Sequence, residues 1–213
     1  MKLQSFRIIT LALIGLFLAV SFVYAETAEE YVKLGISDAN QGNFTQAILN
    51  FTKAVEIKPN FTMAYYSRGI AYGHQGNFAQ AIADLAKAIA IYPNYGDAYY
   101  NRGIVYVHQG NFAQAILDFT KAIEINPNSS EAYYSRGMVC GYQGDFTKAI
   151  LDFNKAIEIK PDNADAYYSR GSAYFMAKEY DKVWVDIRKA ESLGKKIPPD
   201  FIDKLKNASG RDK

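Results

Sequence analysis

The chain has 213 residues, 49% of them hydrophobic and 22% charged, with 24 basic residues against 22 acidic. That length suits one domain or a short array, and a formal charge of +2 excludes the strongly basic surface of a nucleic-acid binder. The single cysteine, Cys140, excludes an intramolecular disulfide, so packing alone must hold the fold.

The two excess cations, Lys2 and Arg7, open the chain. An apolar run from Ile8 to Val20, broken only by Thr10 and Gly15, follows them, and Val23-Tyr24-Ala25 places small residues before a cleavage point. A charged start, an apolar middle and an A-x-A-like end predict a secretory signal peptide over residues 1–25. The alternative is an uncleaved anchor, although Ile8 to Val23 is only about 16 residues where a spanning helix needs roughly 20. No cysteine follows the cut site, so lipid attachment of the bacterial lipoprotein kind is not expected. Cleavage would leave 22 of the 24 basic residues against 22 acidic ones, a neutral chain suited neither to nucleic acid nor to purely electrostatic membrane binding. The expected location is a bacterial cell envelope, periplasmic or secreted, or the inner membrane if the segment is retained. Asn-x-Ser/Thr sequons begin at Asn43, Asn50, Asn60, Asn128 and Asn207; the first three share an Asn-Phe-Thr string that capping and packing produce, and the sequons are read as accidental unless the source is eukaryotic.

From residue 26 the sequence repeats every 34 residues, each unit closed by Pro59, Pro93, Pro127 or Pro161. A period in this range means stacked supersecondary units. Within a unit, two helical periodicities are divided by Gln-Gly-Asn-Phe or Gln-Gly-Asp-Phe. Gly42, Gly76, Gly110 and Gly144 are expected to supply a left-handed residue ending the first helix, and Asn43, Asn77, Asn111 and Asp145 to cap the second. Small residues recur where axes must approach: Gly69, Gly103, Gly137 and Gly171 on the first helix, then Ala81, Ala115 and Ala149 on the second. Tyr65, Tyr99 and Tyr133, with Leu85, Phe119 and Phe153, fill the space between them. One pair cannot bury such faces, so neighbours must.

Tyr99-x-x-Arg102-Gly103-x-x-Tyr106, Ala115-x-x-x-Phe119 and Pro127 resemble the tetratricopeptide repeat signature. The resemblance covers five units, 26–59, 60–93, 94–127, 128–161 and 162–195, ahead of a capping helix and polar tail at 196–213. It implies an all-α fold, a right-handed α-solenoid of helix-turn-helix repeats. The terminal units depart from the pattern, as terminal units do. Asp38 stands where tyrosine is usual in the first. In the fifth, Lys178 replaces the turn glycine and Val183 an alanine, so that pair should pack less closely. In the cap, Pro199 and Asp200 suit a helix start, with Phe201, Ile202 and Leu205 as its apolar face.

His74 and His108 are the only histidines, in equivalent columns about 10 Å apart by helix packing, too far to share one zinc ion. Cys140 occupies the column of Tyr72, Tyr106 and Tyr174 and reads as a small buried residue. No convergent nucleophile, carboxylate pair or ligand set is evident, so no enzyme activity, cofactor or metal is expected. The first helices expose a tyrosine ladder, Tyr66, Tyr100, Tyr134 and Tyr168, beside Asp97, Glu131, Asp165, Asn101 and Ile104. By the resemblance this face lines a concave groove that binds a partner segment, and tyrosine suits an interface. The resemblance also implies a lysine, asparagine and arginine clamp in relatives that bind acidic tails. Its columns here hold Glu29, Met63, Asp97, Glu131 and Asp165, then Lys33, Ser67, Asn101, Ser135 and Ser169, so an acidic tail is not expected. The resulting expectation is a non-catalytic scaffold for a protein or peptide. The alternatives are a glycan binder using the tyrosines or a membrane-anchored assembly factor, with a homodimer through the open solenoid ends as a further expectation.

Arg68, Arg102, Arg136 and Arg170 each precede an aspartate by 16 residues, at Asp84, Asp118, Asp152 and Asp186, while the first unit has Leu34 and Asn50 instead. Arginine and aspartate appear together and vanish together, which predicts ion pairs within each repeat.

Overall fold

Each unit folds as a helix pair, closed by the expected glycine turn in the first four units and by Lys178 in the fifth. The computed structural model describes residues 27–210; the signal segment expected over residues 1–25 and the last three residues lie outside them. In chain order the pairs are α1 (Ala28–Asn40) and α2 (Phe44–Ile57), α3 (Thr62–His74) and α4 (Phe78–Ile91), α5 (Gly96–His108) and α6 (Phe112–Ile125), α7 (Ser130–Tyr142) and α8 (Phe146–Ile159), and α9 (Ala164–Met176) and α10 (Tyr180–Ser192), followed by α11 (Pro199–Ser209). Every second helix packs on the first helix of the next unit, and successive first helices also touch. The first helices therefore line the inner surface of an α-solenoid. Among the described residues, no helix is long and apolar enough to cross a membrane.

The turn between α1 and α2 shows why the glycine is required. Gly42 sits at φ 80°, its N–H donates to the Ala39 carbonyl at 3.0 Å, and the Asn43 N–H donates to the Asp38 carbonyl at 2.9 Å. These two bonds satisfy end carbonyls of α1 in a Schellman motif. The expected asparagine caps take their position but not the bond: the side chains of Asn43, Asn77 and Asn111 accept nothing from the helix that follows. Asp145 does accept, from the Lys148 N–H at 3.1 Å, because a charged carboxylate gains more at a helix N-terminus than a neutral amide. In the fifth unit Lys178 is forced to φ 61°, and its neighbours close the turn in the same way, Glu179 N–H donating to the Tyr174 carbonyl at 2.9 Å.

Helix approach follows the small-residue columns. A Cβ at Gly35, Gly103 or Gly137 would stand 2.5, 2.7 or 2.9 Å from the ring of Phe51, Phe119 or Phe153. At Gly171 the nearest atom, the Asp186 Cβ, is 3.4 Å away, so the fifth pair is looser, as Val183 and Ile187 in place of alanine and phenylalanine dictate. Its exposed end is closed by α11, whose Leu205 is fully buried in a cluster with Val183, Trp184 and Ile187. The Trp184 Nε1–H donates to Ser209 Oγ at 3.4 Å.

The ion pairs form within repeats. Arg68, Arg102, Arg136 and Arg170 each grip the aspartate 16 residues later through Nε and Nη2, at 2.6 to 2.9 Å. The aspartates are buried, and the bidentate fork supplies the bonds that burial demands. Three of the arginines also reach backwards: Nη1 donates to Thr52 from Arg68, to Thr120 from Arg136 and to Asn154 from Arg170. Each such side chain therefore staples its repeat to the one before. Ala86 stands in that column for Arg102, whose two hydrogen bonds both go to Asp118.

Candidate interaction groove

The tyrosine ladder lies on the inner face, half-buried rather than open. Tyr66 Oη accepts from Asn101 Nδ2 at 3.0 Å, and the hydroxyls of Tyr100 and Tyr134 pair with Ser135 and Ser169 at 3.4 and 3.3 Å. Each bond crosses to the next repeat's first helix. The rings of Tyr100 and Tyr134 pack on Phe119 and Phe153, both at 5.7 Å between centroids. The ladder expected on the groove face therefore belongs to the helix stack as well. Burial, reinforced by the Asp97 charge, raises the Tyr66 phenol above its ordinary value, against the Asn101 bond. Tyr95, packed on Tyr66 at 4.7 Å, is pushed up to about 12 by burial and the same neighbours.

The acidic row divides. Asp165 is paired with Lys195, whose ammonium also lies 5.0 Å over the Tyr168 ring, and Phe201 packs edge-on against Tyr168 at 5.7 Å. The segment leading into α11 and α11 itself thus cover the fifth unit's share of this row. Asp97 and Glu131 are exposed, take no ion-pair partner among the described residues, and face one cleft of about 250 Å³ with Tyr100, Asn126 and Ser129. A cleft with two free carboxylates attracts a basic group.

Further along the same helices the groove opens into apolar pockets that the sequence reading missed. One of about 330 Å³ lies between the fourth and fifth repeats, lined by Met138, Gly141, Tyr142, Phe146, Phe153, Tyr168, Ser169, Ser172, Ala173 and Met176. A smaller one of about 120 Å³, shifted by two whole repeats, is lined by Ile70, Gly73, His74, Phe78, Leu85, Asn101, Ile104, Val105 and His108. Gly73 and Gly141 share a column that holds Ala39, Val107 and Phe175 in the other units, so each glycine leaves a space. Ser172 and Ala173 in place of Ile104 and Val105 enlarge the pocket between the fourth and fifth repeats. Met138, Tyr142 and Met176 on its rim are 46, 78 and 58% exposed. The signal was present in the glycine column, but a glycine in a helix reads as close approach until its neighbours are placed.

The histidines are packing residues. His74 stacks on Phe44 at 4.7 Å and His108 on Phe78 at 5.8 Å, both nearly parallel. No group of three or more metal-ligating side chains occurs among the described residues. Of the predicted groove residues, Tyr66, Asp97, Tyr100, Asn101, Ile104, Glu131 and Tyr134 share one continuous inner face, while Asp165 and Tyr168 meet the C-terminal segment.

Tetratricopeptide repeat models match residues 63–95, 96–129 and 119–150, and a further TPR repeat model matches residues 38–76 and 139–177. The chain belongs to the tetratricopeptide repeat family. No curated protein matches it. Among solved structures this TPR protein is similar to MamA, at 28% identity and TM-score 0.71 over 80% of this chain and 96% of that one. It is also similar to YrrB, described as a TPR protein with an unusual peptide-binding site, at 25% identity and TM-score 0.68 over 86% and 92%. PilF of Pseudomonas aeruginosa, at 18% identity and TM-score 0.77 over 87% and 85%, shares the fold.

Proposed function

We propose that this TPR protein is a non-catalytic scaffold whose inner groove holds an extended protein segment carrying one apolar and one basic anchor. The observation that carries the reading is the pocket between repeats four and five, where Met138, Tyr142 and Met176 stand exposed around an apolar floor. Exposed apolar surface gathered in a concavity is what a partner's side chain desolvates. The basic anchor is read by Asp97 and Glu131 in the neighbouring cleft. Peptide binding by YrrB and the overall similarity to it support a peptide over other ligands. The rings of Tyr100, Tyr134 and Tyr168 pack on phenylalanines and the hydroxyls of Tyr66, Tyr100 and Tyr134 are engaged, which favours a peptide over stacked sugar. The charged, apolar and small-residue succession at residues 1–25 supports export to the cell envelope, and mass spectrometry of the mature N-terminus checks it: a terminus just after Ala25 is the expected result.

The groove is tested with a displayed random-peptide library screened against the wild type and a Tyr142→Ala/Met176→Ala variant. Enriched peptides should pair a large apolar residue with lysine or arginine, bind the variant at least about tenfold more weakly, as loss of one well-buried anchor implies, and leave its melting temperature nearly unchanged. Equal binding by the folded variant would move the site elsewhere.

A further inference from the structure

A cavity larger than those described in the groove lies among the second helices. It measures about 480 Å³ and is lined by Ile116 and Thr120 of α6, Arg136 and Cys140 of α7, and Lys148, Leu151 and Asp152 of α8. Its position has an explanation inside the same molecule. Cys140 shares a column with Tyr72, Tyr106 and Tyr174, and with Asp38 of the first repeat. In repeat five the Tyr174 ring has the Arg170 guanidinium 5.9 Å from its centroid and the Lys182 ammonium 5.0 Å from it. In repeat three the Arg102 guanidinium lies 6.0 Å from the Tyr106 centroid. Arg136 and Lys148 are the fourth repeat's equivalents of Arg170 and Lys182, held from the corresponding columns: Arg136 by Asp152 and Thr120 where Arg170 has Asp186 and Asn154, Lys148 by Asp145 where Lys182 has Glu179. The receptor for a tyrosine ring is thus complete, and the ring is missing.

We propose that this cavity is a socket for the tyrosine side chain of a protein partner, which enters between Arg136 and Lys148 and completes the fourth repeat from outside. Cation–π attraction to two positioned cations favours an electron-rich ring. Ile116 and Leu151 supply the apolar walls, and Leu151 is 62% exposed at the mouth. The volume lies within the range of ordinary ligand sites. This surface is lined mainly by second helices, so it is independent of the groove and gives the scaffold a second point of attachment. The thiol takes no part in binding; it is the small residue that leaves the room. Burial raises the Cys140 thiol above its ordinary value, and Asp152 and Asp145 add to that, which makes it a slow, local reporter of occupancy.

The probes are p-cresol, the bare side chain, and N-acetyl-tyrosinamide, the side chain on a peptide backbone. Both should slow alkylation of Cys140 in the wild type by about tenfold at a concentration about nine times Kd, where a bound ring blocks the thiol in about nine molecules of ten. Cys140→Ala should keep binding both probes by calorimetry. Cys140→Tyr should raise the melting temperature by roughly 2–4 °C, the shift for about 1 kcal/mol in a chain of this size, and lose both probes. Equal binding by wild type and Cys140→Tyr would place the probes elsewhere and overturn the socket. Binding of p-cresol with exclusion of N-acetyl-tyrosinamide would overturn the protein partner in favour of a free phenol. The protection assay uses the wild type alone, so if Cys140→Tyr does not fold, absence of protection still refutes the proposal.

Discussion

In the first repeat Asn50 donates to Asp38 at 2.7 Å, whereas in the four repeats after it the same column carries an aspartate gripped by an arginine. Both arrangements satisfy a buried polar side chain, and no buried side-chain nitrogen or oxygen among the described residues lacks a partner. The difference lies in reach. Arginine spans its own repeat and still has a nitrogen for the repeat before, as Arg68, Arg136 and Arg170 show. In the first repeat Leu34 takes the arginine's place, and a short amide–carboxylate pair, Asn50 with Asp38, is sufficient. Column identity is therefore set by what each side chain must touch in the neighbouring repeat as well as in its own.

The largest expected effect comes from breaking this arrangement in the fourth repeat. Arg136→Leu strands the buried Asp152 and should cost about 3 kcal/mol, the lower end for such a loss because the guanidinium is partly exposed. Adding Asp152→Asn should restore part of it. The triple change Arg136→Leu/Cys140→Asp/Asp152→Asn transplants the first repeat's own solution and should restore more, leaving the missing Thr120 bond as the deficit. Chemical denaturation of the wild type, both single variants, the double and the triple variant measures this; strictly additive effects of the two single changes in the double variant would refute the coupling.

A smaller effect separates the fourth and fifth repeats. Gly137→Ala drives a Cβ to 2.9 Å from the rigid Phe153 ring, while at Gly171 the nearest atom is 3.4 Å away. The first change should destabilise by about 1–2 kcal/mol of overpacking. The second should be neutral or stabilise by up to about 1 kcal/mol through helix propensity. Matching melting temperatures for the two variants would mean that the pairs are equally tight after all.

The smallest effect extends the staple. Ala86→Thr offers Arg102 the acceptor that Thr52 and Thr120 offer Arg68 and Arg136, worth about 1 kcal/mol as for an ordinary hydrogen bond, since the guanidinium is already gripped by Asp118, less about 0.5 kcal/mol of helix propensity. A melting temperature higher by roughly 1–2 °C is expected. The gain should vanish in an Arg102→Lys background, since lysine lacks the fork that grips the aspartate and reaches back together.

Several features were legible from the residues. The period of 34, the left-handed glycines, the helix pairs, the cap ending in a buried Leu205 and the arginine–aspartate pairs all follow from local conformation or from comparing one repeat with the next, where a shared column means a shared environment. The asparagine caps misled because backbone bonds already close that turn. The groove was legible only as a face. Which of its side chains stay free depends on contacts between repeats, and those tie the tyrosine hydroxyls to Asn101, Ser135 and Ser169 and draw Lys195 and Phe201 over Asp165 and Tyr168. The pockets were hidden for the same reason. A glycine at position 141 or a cysteine at position 140 is only a small residue in one dimension; whether it marks close contact or empty space is decided by the side chains that stacking brings against it.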